Sequence, residues 1–283
     1  MKGWKAYRSL NAEQKRALRA KRIEMNRPAG ALLEFLKPLA ACDAMSDKFR
    51  TTLGCTFAFT LAATIVLALI YATNGWPEGW WTIVVPPALF AIFAGWGWSW
   101  TRSVDISNNF RKFALPVLTV LREDFDPARP VHVRLDLAAP TAPSKKRGKD
   151  EAVKKGGRKV VNSRYVDAWM SVEGVLVDGT KLAWRVTDAI RESKRTKRNA
   201  RGKIKTKTKY KKKSTIEVSM GLKKKSYELR KALGEVAEDE RRNTVSLSRR
   251  VVTASLDPID PRVLLDLVAS IFRNTRPAKE AGA

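Results

Sequence analysis

The chain has 283 residues, with 55 Lys or Arg against 28 Asp or Glu and a formal net charge of +27. One histidine (His132) and two cysteines (Cys42, Cys55) leave too little material for a histidine metal site, a Ser-His-Asp triad or a cysteine metal motif. Gly156-Gly157 lacks the flanking strand and helix of a phosphate-cradling loop, and Asp257, Asp260 and Asp266 read as helix-start and surface carboxylates. The expectation is a non-enzymatic protein without metal or cofactor.

Residues 1–50 read as a cytoplasmic helical region, with twelve basic and five acidic side chains. Its first 27 residues are charged and lack the apolar core of a cleavable signal peptide. A helix is expected over 11–25, with Asn11 as N-cap and Gln14 three residues later. A second is expected from Leu32 to about Phe49, interrupted at Pro38 and lying along the inner leaflet or on the protein's own domain.

Between Arg50 and Arg102 the one charged residue is Glu78. Two apolar runs, 51–73 and 81–100, flank the loop 74–80 and form a hairpin over 51–101. Each run has about twenty residues, enough at ~1.5 Å per residue to cross a ~30 Å hydrocarbon core. The loop has no Lys or Arg, whereas residues 1–50 carry +7 and the chain beyond 137 carries +20. The positive-inside rule therefore puts both termini in the cytoplasm, with a bacterial inner membrane as the expected location. Interface anchors are expected at Tyr71, Trp76, Trp80 and Trp81 on the outer side, and at Trp96, Trp98 and Trp100 on the inner side. Pro86-Pro87 is expected to bend the second span or mark its start. Thr56, Thr60 and Thr64 share one helix face, so a homo-oligomeric pore or transport accessory is an alternative reading.

Residues 102–127 read as a connecting helix. Its apolar stripe is Phe110, Phe113, Ala114, Val117, Leu118 and Leu121, with a kink expected at Pro116. From 128 to 283 the pattern predicts a basic cytoplasmic α+β domain. Val131, Val133, Leu135 and Leu137 alternate as a strand, and a disordered loop is expected from about 138 to 159. Strands over 165–177 and 181–190 flank Asp178-Gly179, read as a two-residue type I′ hairpin. Further strands are expected at 203–220 and 245–252, followed by a helix from Asp260-Pro261 with Val263, Leu264, Leu267, Val268, Ile271 and Phe272 as its apolar stripe. The fold class is thus an α+β membrane protein: a two-helix transmembrane hairpin and an antiparallel sheet domain with a C-terminal helix.

The segment Arg191–Lys213 holds thirteen basic residues and one acid, Glu192. Lys203, Lys205, Lys207, Lys209 and Lys211 alternate with Ile204, Thr206, Thr208 and Tyr210, so an extended chain puts the lysines on one face about 6.5–7 Å apart. Candidate polyanion or lipid contacts are these lysines with Lys194, Arg195, Lys197, Arg198, Arg201, Lys212 and Lys213. The leading reading is a scaffold or recruiter binding anionic phospholipid or another polyanion. The alternatives are a tethered, sequence-independent nucleic-acid binder and a protected sheet edge partly neutralised by Glu235, Glu238, Asp239 and Glu240.

Overall fold

The computed structural model describes residues 2–76, 78–154, 158–198, 202–230 and 234–278. They form two compact units: one joins the chain up to Ala20 with Lys37–Ile106, the other joins Lys21–Leu36 with the chain from Ser107 onward. The sheet unit thus gathers an early segment, 21–36, and the 107–127 stretch with the chain that follows.

In the first unit, α1 (Lys2–Arg8) precedes α2 (Ala12–Ala20). Asn11 and Gln14 form the expected reciprocal cap. Gln14 N–H donates to Asn11 Oδ1 at 2.7 Å, and Asn11 N–H donates to Gln14 Oε1 at 2.9 Å. The helix stops at Ala20 rather than 25, because Lys21 takes φ +51° and the chain turns into a strand. The next two expected elements are one helix, α3 (Ala29–Asn74), running unbroken through Pro38. Proline costs an interior helix about 3 kcal/mol. Burial of Leu32, Leu33, Phe35, Leu36 and Leu39 around it, at about 1.5–3 kcal/mol each, outweighs that cost. Helix α4 (Trp81–Val104) likewise contains Pro86 and Pro87 without ending.

Helices α3 and α4 are both long and apolar enough to cross a membrane. They pack aromatic rings onto glycines. A Cβ on Gly95 would lie 3.0 Å from the Phe57 ring, and one on Gly54 would lie 3.1 Å from the Trp98 indole nitrogen. Both are at or inside the limit of tight contact, so glycine is what lets the helices approach. Phe59, Ile65, Leu69, Phe90, Ile92 and Phe93 stay exposed. The hydroxyls of Thr56, Thr60 and Thr64 donate to carbonyls four residues back, at 2.8–2.9 Å. Helix α4 does not continue into the next element: Asp105 is extended, and Ile106 N–H donates to Asp43 Oδ1 at 3.3 Å.

The second unit is built on an eight-stranded antiparallel sheet: β1 (Arg22–Arg27), β2 (Val131–Asp136), β3 (Lys146–Lys154), β4 (Arg158–Val175), β5 (Lys181–Arg198), β6 (Ile204–Lys223), β8 (Glu235–Glu238) and β9 (Arg242–Thr253). A two-stranded ribbon pairs β7 (Tyr227–Leu229) with β10 (Thr275–Pro277). The large sheet has two sectors. Over the inner halves of the long strands the order is β1-β2-β4-β5-β6-β9-β8; over their outer halves β3 replaces β2 beside β4, and β9 has ended. The outer sector is therefore a four-stranded blade, β3-β4-β5-β6.

One face of the inner sector is the core. Val133, Leu135, Met170, Val172, Trp184, Val186, Ile216, Val218 and Met220 line it. A bulge at Trp169 lets Tyr165 and Met170 face the same side despite their odd separation. The predicted stripe of Phe110, Phe113, Ala114, Val117, Leu118 and Leu121 is wholly buried. It lies on a π-helical turn (Phe110–Ala114) that runs directly into α5 (Leu115–Leu121), and Pro116, which has no N–H to give, falls where the wider turn hands over to α5. Phe113 meets Trp169 edge-on at 5.5 Å. Helix α6 (Arg262–Arg273) packs on β6 and β9 and buries Leu264, Leu267, Val268 and Ile271.

Two loop expectations change. The stretch expected to be disordered contains a 3₁₀ turn, Pro143–Lys145, and β3, because the outer half of β4 offers a ladder that local composition does not reveal; residues 155–157 lie outside the described residues. The 176–180 hairpin is not type I′. Gly179 N–H donates to Leu176 O, Leu176 N–H donates to Thr180 O, and only Gly179 has positive φ, +81°. This is a type I turn followed by a glycine bulge, a three-residue loop.

Candidate polyanion-binding surface

The blade separates its charges by face. Register places Arg191 opposite Lys211, Ser193 opposite Lys209, Arg195 opposite Lys207 and Lys197 opposite Lys205. Directly opposite residues point to the same side, about 4.5–5.5 Å apart, with about 6.5–7 Å between successive rows. The β5–β6 ribbon therefore carries a double file of cations, all exposed. Arg164, opposite Arg191 on β4, and Lys213 extend the same face. The one carboxylate there among the described residues is Asp150, bound to Arg164 at 2.6 Å.

On the other face three exposed lysines have carboxylate partners. Lys149 and Lys159 both pair with Glu151, at 2.6 and 3.3 Å, and Lys194 pairs with Glu192 at 3.3 Å. Between them stand Thr196 and Thr206, hydroxyl to hydroxyl at 3.1 Å. Nearer the root, Glu192 accepts from Tyr165 at 3.2 Å and Tyr210 at 3.1 Å.

Of the expected contacts, Arg195, Lys197, Lys205, Lys207, Lys209, Lys211 and Lys213 share the basic face. Lys194 points to the opposite face, Lys203 lies in the loop before β6, Arg201 lies outside the described residues, and only the backbone of Arg198 is described. Lys212 is buried beneath the blade: its ammonium donates to the Asp257 carbonyl and lies 4.0 Å from Asp188. Arg191 and Arg164 join the face through strand register, which linear spacing does not show. The acids expected to neutralise the edge are remote, since Glu235 and Glu238 flank the 243–246 end of β9, beside Ser219–Leu222 rather than 204–211.

A buried ionic cluster sits at the blade's root. Asp167 and Asp188 oppose each other in the ladder. Lys145 lies 2.9 Å from Asp167 and 3.3 Å from Asp136, and Asn109 Nδ2 donates to Asp188 at 3.4 Å. Burial pushes the Asp167 carboxyl up to about 7 against the pull of Lys145, and raises Asp188 as well. The same desolvation lowers Lys212.

Among the expected interface aromatics, Trp76, Trp80, Trp81 and Trp96 are exposed. Tyr71 and Trp76 lie 5.8 Å apart, and Trp76 and Trp80 4.5 Å. Trp98 is half-buried, stacked on Phe57 with the Arg102 guanidinium 4.8 Å from its ring; Trp100 meets Tyr7 edge-on at 5.3 Å. Asp43, Asp47 and Asp105 bring carboxylate oxygens within 4.8 Å of one another, but Arg50 already bridges Asp47, at 3.3 Å, and Asp105. Fold and surface together define an α+β protein with two membrane-length helices and a one-sided basic blade. Compared with protein-family models, curated proteins and solved structures, the chain matches none.

Proposed function

We propose that the protein is a non-enzymatic, membrane-anchored scaffold, with both termini in the cytoplasm of a bacterial cell, whose basic blade binds anionic phospholipid headgroups. The observation that carries this reading is the distribution of cations. A lysine-studded edge is enough to discourage sheet-to-sheet pairing. Here the unneutralised cations continue onto β5, an interior strand that needs no such protection. On the opposite face Lys149, Lys159 and Lys194 have carboxylate partners, so most of the unneutralised charge among the described residues lies on one surface. An anionic leaflet attracts each nearby Lys or Arg by about 1 kcal/mol, and a membrane anchor keeps headgroups at high local concentration. The exposed apolar side chains of α3 and α4 and the exposed tryptophans suit that anchor. Among the described residues the basic face presents no aromatic for base stacking, which favours lipid over single-stranded nucleic acid.

The test is lysine footprinting of the full chain in nanodiscs, with free vesicles added. Lys205, Lys207, Lys209 and Lys211 should acylate more slowly when anionic phospholipid is present, and high salt should restore the rate. Equal labelling with neutral and anionic lipid would overturn the reading. Protection by random-sequence duplex DNA alone would reassign the face to nucleic acid.

A further inference from the structure

The double file of cations has to be held flat against its own repulsion, and among the described residues of the basic face the one counter-charge, Asp150, pairs with Arg164 on β4 rather than with the β5–β6 file. Rows of like charge on adjacent strands oppose pairing, yet β5 and β6 remain in register from Lys181↔Gly221 to Arg198↔Ile204. The restraint lies on the reverse face. Glu192, the one acid within Arg191–Lys213, is buried at the blade's root. Its two oxygens are divided between neighbouring strands: Oε2 accepts from the Tyr165 hydroxyl on β4, and Oε1 from the Tyr210 hydroxyl on β6. Lys194, two residues along β5, adds an ion pair to Oε1. Tyr210 stands directly opposite Glu192, and Tyr165 is its diagonal neighbour, within reach of a long aromatic side chain. Hydrogen bonds to an ionised acceptor are roughly twice as strong as neutral ones, and burial strengthens them further.

We infer that Glu192 is the positioning residue of the basic face, joining β4, β5 and β6 through Tyr165 and Tyr210 so that the cation rows stay aligned for a polyanion. The inference rests on the polyanion-binding reading above. It also predicts an effect opposite to simple electrostatics. Replacing Glu192 by Gln removes a negative charge from a basic blade, which by itself would tighten binding to an anionic surface. Loss of alignment weakens it.

The experiment compares wild type, Glu192→Gln, Tyr165→Phe and Tyr210→Phe, each as the full chain in nanodiscs containing anionic phospholipid. Lysine footprinting reads binding, and hydrogen exchange reads the order of residues 204–211. In Glu192→Gln, exchange over 204–211 should quicken by about tenfold or more, as expected for losing charge-assisted hydrogen bonds. Protection of Lys205–Lys211 should then disappear at lower salt than in wild type. The phenylalanine variants keep every charge and should move both readouts the same way by less. Unchanged exchange in Glu192→Gln, with protection equal to or stronger than wild type, would overturn the inference. If Glu192→Gln does not fold, the two phenylalanine variants decide it, and wild-type exchange in both would overturn it. If wild type itself shows no lipid protection, the lipid reading fails, while exchange still reports whether Glu192 aligns the blade.

Discussion

Lys211 and Lys212 are adjacent in one strand, yet one is on the exposed basic face and the other is 1 % exposed in an ionic cluster. Strand β6 makes this division along its whole length. From Lys212 onward it lies between β5 and β9, and alternate residues are buried. Before Lys212 it has β5 on one side only, and both faces are accessible. The same alternation thus builds a core in one half and a charged blade in the other. Whether neighbours cover a face decides what its side chains do.

The sharpest way to break this comparison is to remove each of the two lysines. Lys212→Met leaves Asp188 as a buried charge without its ammonium and should cost about 3–5 kcal/mol in denaturant unfolding of the full chain. Lys211→Met should change stability by no more than about 0.5 kcal/mol. Equal effects would mean that the two halves of the strand do not differ in the way described.

The next largest effect concerns pH. The Asp167 carboxyl is held at about 7, above its ordinary 3.8, so the folded state binds a proton more tightly than the unfolded chain. The stability this contributes is complete below about pH 4 and is lost as pH rises through about 7. Asp167→Asn should remove Asp167's share of that decline, the raised Asp188 carboxyl keeping its own, so the variant should lose less stability than wild type between about pH 4 and 8, by on the order of 2–4 kcal/mol. Melting temperatures across pH 4–8 check the sign. A wild-type profile that rises over this range and is unaffected by the substitution would contradict the assignment. Smallest is Gly179→Ala in the 176–180 turn. Placing a Cβ at φ +81° should cost about 1 kcal/mol, and thermal melting would register it.

Much of the fold could be read locally. The charge gap between Arg50 and Arg102 marks both membrane-length helices, the Asn11–Gln14 cap marks the start of α2, and the stripes over 110–121 and 263–272 mark packed helices. These are periodic or nearest-neighbour features, written within a few turns of chain. The candidate surface was legible only in part. Alternation located the lysine file on β6, but it also admitted Lys194 and Lys212, which the strand pairing assigns to the other face, and it did not reveal Arg191 and Arg164. Residues 138–159 lacked an apolar pattern of their own, so a strand whose ladder partner lies downstream went unrecognised. Pro38 gave a local stop signal that burial of the surrounding leucines overrode.

The sequence by itself determined that two apolar helices are present, that most of the positive charge lies after them, and that residues 203–213 alternate lysine with β-forming residues. Each follows from composition and a period of 3.6 or 2. Tertiary structure alone decided that β5 pairs with the lysine strand while β3 pairs with β4, that carboxylates pair more of the cations on one face than on the other, and that Lys211 is exposed while Lys212 is buried. Those outcomes depend on register between strands far apart in the chain, and a linear sequence does not state which distant residues will stand opposite one another.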